Sequence, residues 1–197
     1  MQAIFLDIET TGLDPYRHSV IEIALKIIDL PSGTLRGAYQ AILKLSKHAW
    51  DKRDPSSIQI NGFSWDEVRH GADPKEVHRE IIELFQASGI VRGKAVFICQ
   101  NPSFDRAFFI QLIDTYTQEK MNWPYHWLDL ASMFWAVSHL QRTEKGEPCP
   151  ESMILSKNEI ARIYSLPPEI EPHKAMNGVD HLIACYEAVL KTTFNHK

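Results

Sequence analysis

Asp7 and Glu9, in the stretch Ala3-Ile4-Phe5-Leu6-Asp7-Ile8-Glu9, are the first residues of this 197-residue chain whose type and spacing suggest chemistry. Residues 2–8 alternate around β-formers and read as a strand. The two-residue period of a strand sends Asp7 and Glu9 to one face, roughly 7 Å apart, and Leu6 and Ile8 to the other. Two carboxylates so placed repel each other unless a cation neutralises them, and hard divalent ions such as Mg²⁺ take oxygen ligands of this kind. Thr10, Thr11, Gly12 and Leu13 come next as a turn whose small residues and backbone N–H groups let a ligand come close. An exposed strand end carrying two solvated acids would show the same pattern, and D-x-E alone does not separate the two readings.

The surrounding elements must hold these residues in place. Residues 20–29 (VIEIALKIID) read as a second strand, and Pro31-Ser32-Gly33-Thr34 as a hairpin turn into a third near 35–45, so the chain opens on an antiparallel meander. From Pro74 the period changes. Val77, Ile81, Ile82, Leu84 and Phe85 form a helical stripe, and AVFIC at 95–99 suits a short buried strand. Helical patterns occupy about 103–118, 129–140, 157–165 and 179–192, which predicts a mixed α/β domain. Residues 143–152 (TEKGEPCPES) are the best linker candidate, but the segment beyond them is too short to fold alone. The expectation is one domain over 1–192 with a short C-terminal tail at 193–197.

Composition bounds the function. With 44% hydrophobic and 23% charged residues the chain has the make-up of one compact globular domain, not of a disordered tail, a collagen-like repeat or a coiled-coil rod. Cys99, Cys149 and Cys185 form no C-x-x-C pair, which argues against a disulfide framework or a thiolate zinc site and points to a reducing, cytoplasmic setting. No early charged-then-apolar leader is visible, and no run approaches the roughly 20 apolar residues of a membrane span. The 25 Asp+Glu against 21 Lys+Arg, a net charge of -4, speak against binding nucleic acid by blanket phosphate neutralisation.

DIETTGL, residues 7–13, closely resembles the first motif of the DEDD exonucleases, the group that includes the proofreading subunit of bacterial DNA polymerase, RNase T and oligoribonuclease. AVFICQNPSFDRAFF at 95–109 is similar to the second motif, with a short apolar strand, Asn101-Pro102-Ser103, and Phe104-Asp105 opening a helix. An Asp near a helix N-terminus is also a common way to complement the helix dipole. Gln100 stands where many relatives have His. EPHKAMNGVDHLIACYEAVL, with His173 and Ala175 in H-x-A, resembles the third motif of the His branch of the family; Met176 occupies the position of the Tyr that marks the other branch. The spacing departs from the pattern. His173 and Asp180 are seven residues apart where the family usually has five, and the residue five after His173 is Gly178, which cannot ligate a metal. Two extra residues around Asn177-Gly178 could form a turn, with a helix beginning near Val179 and Asp180 in its first turn. Alternatively the helix starts earlier and stacks His173 and Asp180 on one face ~10 Å apart, or the insertion has disabled the base. His181 is the rival to His173.

The resemblance implies an RNase H-like fold, a mixed central sheet with an antiparallel meander, flanked by helices. It implies two divalent metal ions, Mg²⁺ or Mn²⁺, on Asp7, Glu9, Asp105 and Asp180, with His173 as the catalytic base. Thr10, Thr11, Gly12, Leu13, Asn101, Phe104 and Phe63, the last in Ile60-Asn61-Gly62-Phe63, are the implied substrate contacts. The implied activity is that of a metal-dependent 3′-5′ exonuclease that hydrolyses single-stranded DNA or RNA to nucleoside 5′-monophosphates. A homodimer and a polymerase partner both stay open. The alternative from another class is an exonuclease-like module that binds nucleic acid ends or a partner protein without cutting. Once the four implied ligands are set aside, acids and bases are equal in number, so the net charge is compatible with short-reach capture of one strand end.

Overall fold

The computed structural model describes residues 1–195. Its centre is strand β1 (Gln2–Thr10), which pairs antiparallel with β2 (Val20–Asp29) and, through β2, with β3 (Thr34–Ile42). On its other edge β1 runs parallel to β4 (Ala95–Cys99), which runs parallel to β5 (Trp127–Asp129). The spatial order is β3-β2-β1-β4-β5, a mixed sheet of RNase H-like type. Three short helices, α1 (Lys47–Asp51), α2 (Pro55–Asn61) and α3 (Trp65–Arg69), come after the meander and precede α4 (Pro74–Ala87). The remaining helices are α5 (Pro102–Leu112), α6 (Thr115–Lys120), α7 (Leu130–Glu144), α8 (Lys157–Ile163) and α9 (Ala175–Leu190).

Strand alternation divides the core into two layers. Ile4, Leu6 and Ile8 pack with Val77, Ile81 and Phe85 of α4 and Phe108 and Phe109 of α5. Ala3 and Phe5 face the opposite way, against α7, α8 and α9, where Phe5 meets Tyr186 edge-on at 5.1 Å. Asp7 and Glu9 continue the parity of Ala3 and Phe5, so both carboxylates lie on the α9 side of the sheet. A third cluster, around Ile21, Leu45, Trp50, Phe63 and Val68, seats the short helices on the end of the meander.

Several boundaries differ from the sequence expectation. The helix predicted over 103–118 is two helices, because Ile113 is extended and Asp114 caps a new start by accepting from the backbone of Tyr116 and Thr117. Helices α1 to α3 and strand β5 are too short to show a period. The helix expected near Val179 begins at Ala175, and Asn177-Gly178 lies inside it instead of forming a turn. Its cap is distant in sequence: the buried Glu22 carboxylate accepts from the Ala175 N–H at 2.7 Å and from the Gln40 amide at 2.7 Å. Beyond residue 192, in the expected tail, Phe194 packs on Phe5 and Tyr186, and Asn195 bridges to Thr34. Residues 196 and 197 of that tail lie outside the described residues. Among the described residues the three cysteines are free thiols, and no helix is long and apolar enough to cross a membrane.

Glu22→Ala removes a buried acceptor from two donors, and is expected to cost about 1–3 kcal/mol of stability in urea unfolding, with α9 the first element to lose amide protection in hydrogen exchange.

Candidate active site

The parallel pairing of β1 and β4 brings the C-terminal ends of both strands to one edge of the fold. Asp7 and Glu9 come from the first. Past the second, Pro102 fixes the start of α5, and Asp105 in its first turn is buried against the same region. The turn after β1 is a braced structure. The Thr10 hydroxyl donates to Gly12 O at 2.7 Å, and Thr11 Oγ1 accepts from Ser19 N at 2.9 Å. A Cβ on Gly12 would run into the buried His18 ring, whose Nδ1 accepts from Asp14 N at 3.0 Å. The Asn61 amide donates to Thr10 O at 3.1 Å and ties the end of α2 to this turn.

The implied substrate contacts therefore divide. Thr10, Thr11 and Gly12 are buried parts of the turn, while Leu13 projects from it with 75% exposure. Asn101 is exposed at the start of α5, and Phe104 is half-buried against Phe108. Phe63 is buried in the third cluster with the Lys174 ammonium 3.3 Å from its ring centre, so this ring presents no free face for a base.

His173 is held on the loop before α9 by its N–H, which donates to Ile60 O at 3.1 Å. Its ring lies within electrostatic reach of Asp7 and Glu169, on the side of the cluster from which the chain enters α9. Asp180 is not there. Its side chain is 53% exposed and pairs with Lys26 of β2. The cause is the early start of α9, which points Gly178 at the cluster so closely that a Cβ there would fall within the Asp7 carboxylate. The inserted turn is thus corrected to continuous helix, and the stacked His173–Asp180 face does not form either, because His173 precedes the helix. Asp7, Glu9 and Asp105 lie together, His173 sits within reach of Asp7 from the loop before α9, and Asp180 points away.

Two residues without a local motif take part. Glu169 Oε1 lies 3.1 Å from where a Gly178 Cβ would be, and Lys157, opening α8, places Nζ 3.3 Å from Asp7 Oδ1 and 3.2 Å from Glu169. His181, on the inner face of α9, stands behind Glu169, with Nδ1 3.7 Å from its carboxylate and Nε2 3.1 Å from Pro167 O. Glu169 could have been noticed only as an acid four residues before His173 in the Pro-rich LPPEIEPH stretch.

The electrostatics are lopsided. Burial pushes Glu169 up, but His181 and Lys157 outweigh it and hold the carboxyl at about 2. The Cys185 side chain and then Glu169 raise His181 to about 9. Burial, and then the charge of Asp7, raises Glu9 to about 8 and Asp105 well above the usual carboxylate range. Asp7 is raised by burial in spite of Lys157. Among the described residues no three such side chains form a ready-made cage around one point. Glu9, Asp105 and the free side of Asp7 nevertheless offer oxygen donors short of positive charge, a set that fits one hard divalent ion. A second ion bridging Asp7 towards a fourth carboxylate does not fit, because Gly178 supplies none and Lys157 fills the gap.

An exonuclease family model of the RNase T type matches residues 4–177. Solved structures share the fold. One is zinc-bound E. coli exonuclease I with single-stranded DNA, at 21% identity and a TM-score of 0.74, covering 96% of this chain and 40% of that one. E. coli exonuclease I with a dT13 oligonucleotide matches at 20% identity and 0.74, covering 97% and 41%. Cell-death related nuclease 4 matches at 16% identity and 0.68, covering 96% and 64%. The chain thus spans about 40% of the length of these exonuclease I chains. No curated protein sequence matches significantly. With the family model covering most of its length and the fold shared throughout, the chain belongs to the exonuclease family of nucleases.

Proposed function

We propose that this chain is a divalent-ion-dependent 3′-5′ exonuclease acting on single strands. The observation that carries this reading is the convergence of Asp7, Glu9, Asp105 and His173 at the shared end of β1 and β4, beside an open groove. That groove is lined by Gln59, Ile60, Glu171, Pro172 and His173, and past Gln59 it continues into a second lined by Ile58, Pro55, Arg53 and Asp51. The cationic Arg53, 4.7 Å over the Trp50 ring, suits the phosphates of a single strand running away from the site. The exonuclease I structures hold single-stranded DNA, which makes DNA the first substrate to test and RNA the second.

One Mg²⁺ or Mn²⁺ ion on Asp7, Glu9 and Asp105 would supply Lewis-acid charge at the scissile phosphate. His173 takes a proton from the attacking water as the new P–O bond forms. The P–O3′ bond breaks, the shortened strand keeps the 3′ oxygen, which is reprotonated from solvent, and a nucleoside 5′-monophosphate leaves. Buried His181 is occupied with Glu169 and Pro167 and supports Glu169's position, so it is no second base.

Gly178, the outward Asp180 and the internal Lys157 favour a second reading, an end-binding module without cleavage. On the first reading, full-length chain shortens a 5′-labelled single-stranded 20-mer with Mg²⁺ or Mn²⁺, and EDTA stops it. Asp7→Ala or Asp105→Ala abolishes cleavage, and His173→Ala loses about 10²–10⁴-fold in rate. Asp180→Ala stays near wild type. Ion binding with no cleavage of any DNA or RNA oligomer selects the second reading.

The carboxylate cluster also fixes a pH dependence. Glu9 titrates near 8 when folded against an ordinary 4.5, so the folded state holds the extra proton between these values and stability falls as pH rises through that window. His181, raised from 6.5 to about 9, adds a loss in the same direction. Glu169, lowered to about 2, loses its contribution only as pH falls below 4.5. Thermal melts of metal-free protein are expected to show a lower Tm at pH 8.5 than at pH 6, with Mg²⁺ restoring more at the higher pH.

A further inference from the structure

We propose that the Lys157 ammonium is a built-in cation standing in for one of the two metal ions implied by the family resemblance, so that the chain binds one divalent ion. The inference rests on the ion-dependent reading above and concerns how many ions the site takes.

Three observations meet at this lysine. Its side chain is 12% exposed, and Nζ lies 3.3 Å from Asp7 Oδ1 and 3.2 Å from the Glu169 carboxylate, a position between two acids that an ion bridging them would need. Mg²⁺ holds its oxygens at about 2.0–2.1 Å, so ion and ammonium cannot share that gap. Position 178, where the spacing from His173 would place the last carboxylate, has no side chain, and the Asp7 carboxylate occupies the space one would fill. Glu169 reaches the same spot from the preceding loop and is braced behind by His181. Lost acid and lost ion are thus replaced together, by a carboxylate from the 169 loop and an ammonium from α8. Burial of the lysine is offset by both acids, which keep it charged. Against the carboxylates of Asp7, Glu9, Asp105 and Glu169, one ammonium and one divalent ion leave the group slightly negative. A second divalent ion would have to displace the lysine.

The test counts ions on the full, metal-free chain without nucleic acid. Mn²⁺ is titrated by calorimetry, and the loaded protein is examined by electron paramagnetic resonance for an exchange-coupled Mn²⁺ pair. Wild type is expected to bind one Mn²⁺ with no coupled pair, and Asp180→Ala to do the same. Lys157→Met, checked for folding by circular dichroism, is expected to bind two and to show the coupled signal. Two coupled ions in wild type would overturn the inference and leave ion-dependent cleavage standing, as would one ion in folded Lys157→Met. Should Lys157→Met not fold, the wild-type count decides alone. No Mn²⁺ binding by wild type would overturn the ion-dependent reading itself, and the inference with it.

Discussion

Helix α9 approaches strand β1 so closely that position 178 has no room for a side chain while Asp7 points as it does. Much of the site is set by that contact. Successive helical residues turn by about 100°, so Asp180 points roughly 200° away from Gly178, towards Lys26. The helix end is fixed by Glu22 on β2, which in turn accepts from Gln40 on β3, so the meander sets where α9 starts. The carboxylate that lies beside position 178 comes from elsewhere, from Glu169 on the loop before α9.

Crowding acids at a strand end is costly, since each buried ion carries an effective penalty of several kcal/mol unless it is paired. The protein settles only half of this internally. Lys157 and His181 satisfy Glu169 and one side of Asp7, while Glu9 and Asp105 are held in a form that favours protonation at neutral pH. Stability and affinity for positive charge are two consequences of one charge distribution, since a cation placed beside Glu9 and Asp105 would lower the cost of their burial.

The fold was largely legible in the chain. The strands at 20–29 and 95–99 keep their expected bounds because both are runs rich in β-formers bounded by turn residues. The placement of Asp7 and Glu9 on one strand face and of Asp105 in the first turn of a helix was legible because strand parity and a Pro-led helix start are local facts. The start of α9 was not, because its cap lies 153 residues away. Gly178 was visible as a mismatch, but Asn-Gly suggested a turn, and tertiary packing overrode that local preference. Lys157 and Glu169 had no motif around them, since their role exists only where α8, the 169 loop and β1 meet.

Gln100 ties this arrangement to the rest of the sheet. Its side-chain amide donates to Leu155 O at 2.5 Å, so the end of β4 tethers the irregular stretch that leads into α8, two residues before the lysine. An acid restored at 178 would run into the Asp7 carboxylate, with or without Lys157. A lineage that lost the lysine while keeping Glu169 would strand two acids together. Positions 100, 157, 169 and 178 form a unit that is hard to cross one substitution at a time, so descendants are expected to inherit the four as a set and to diverge freely at Asp180.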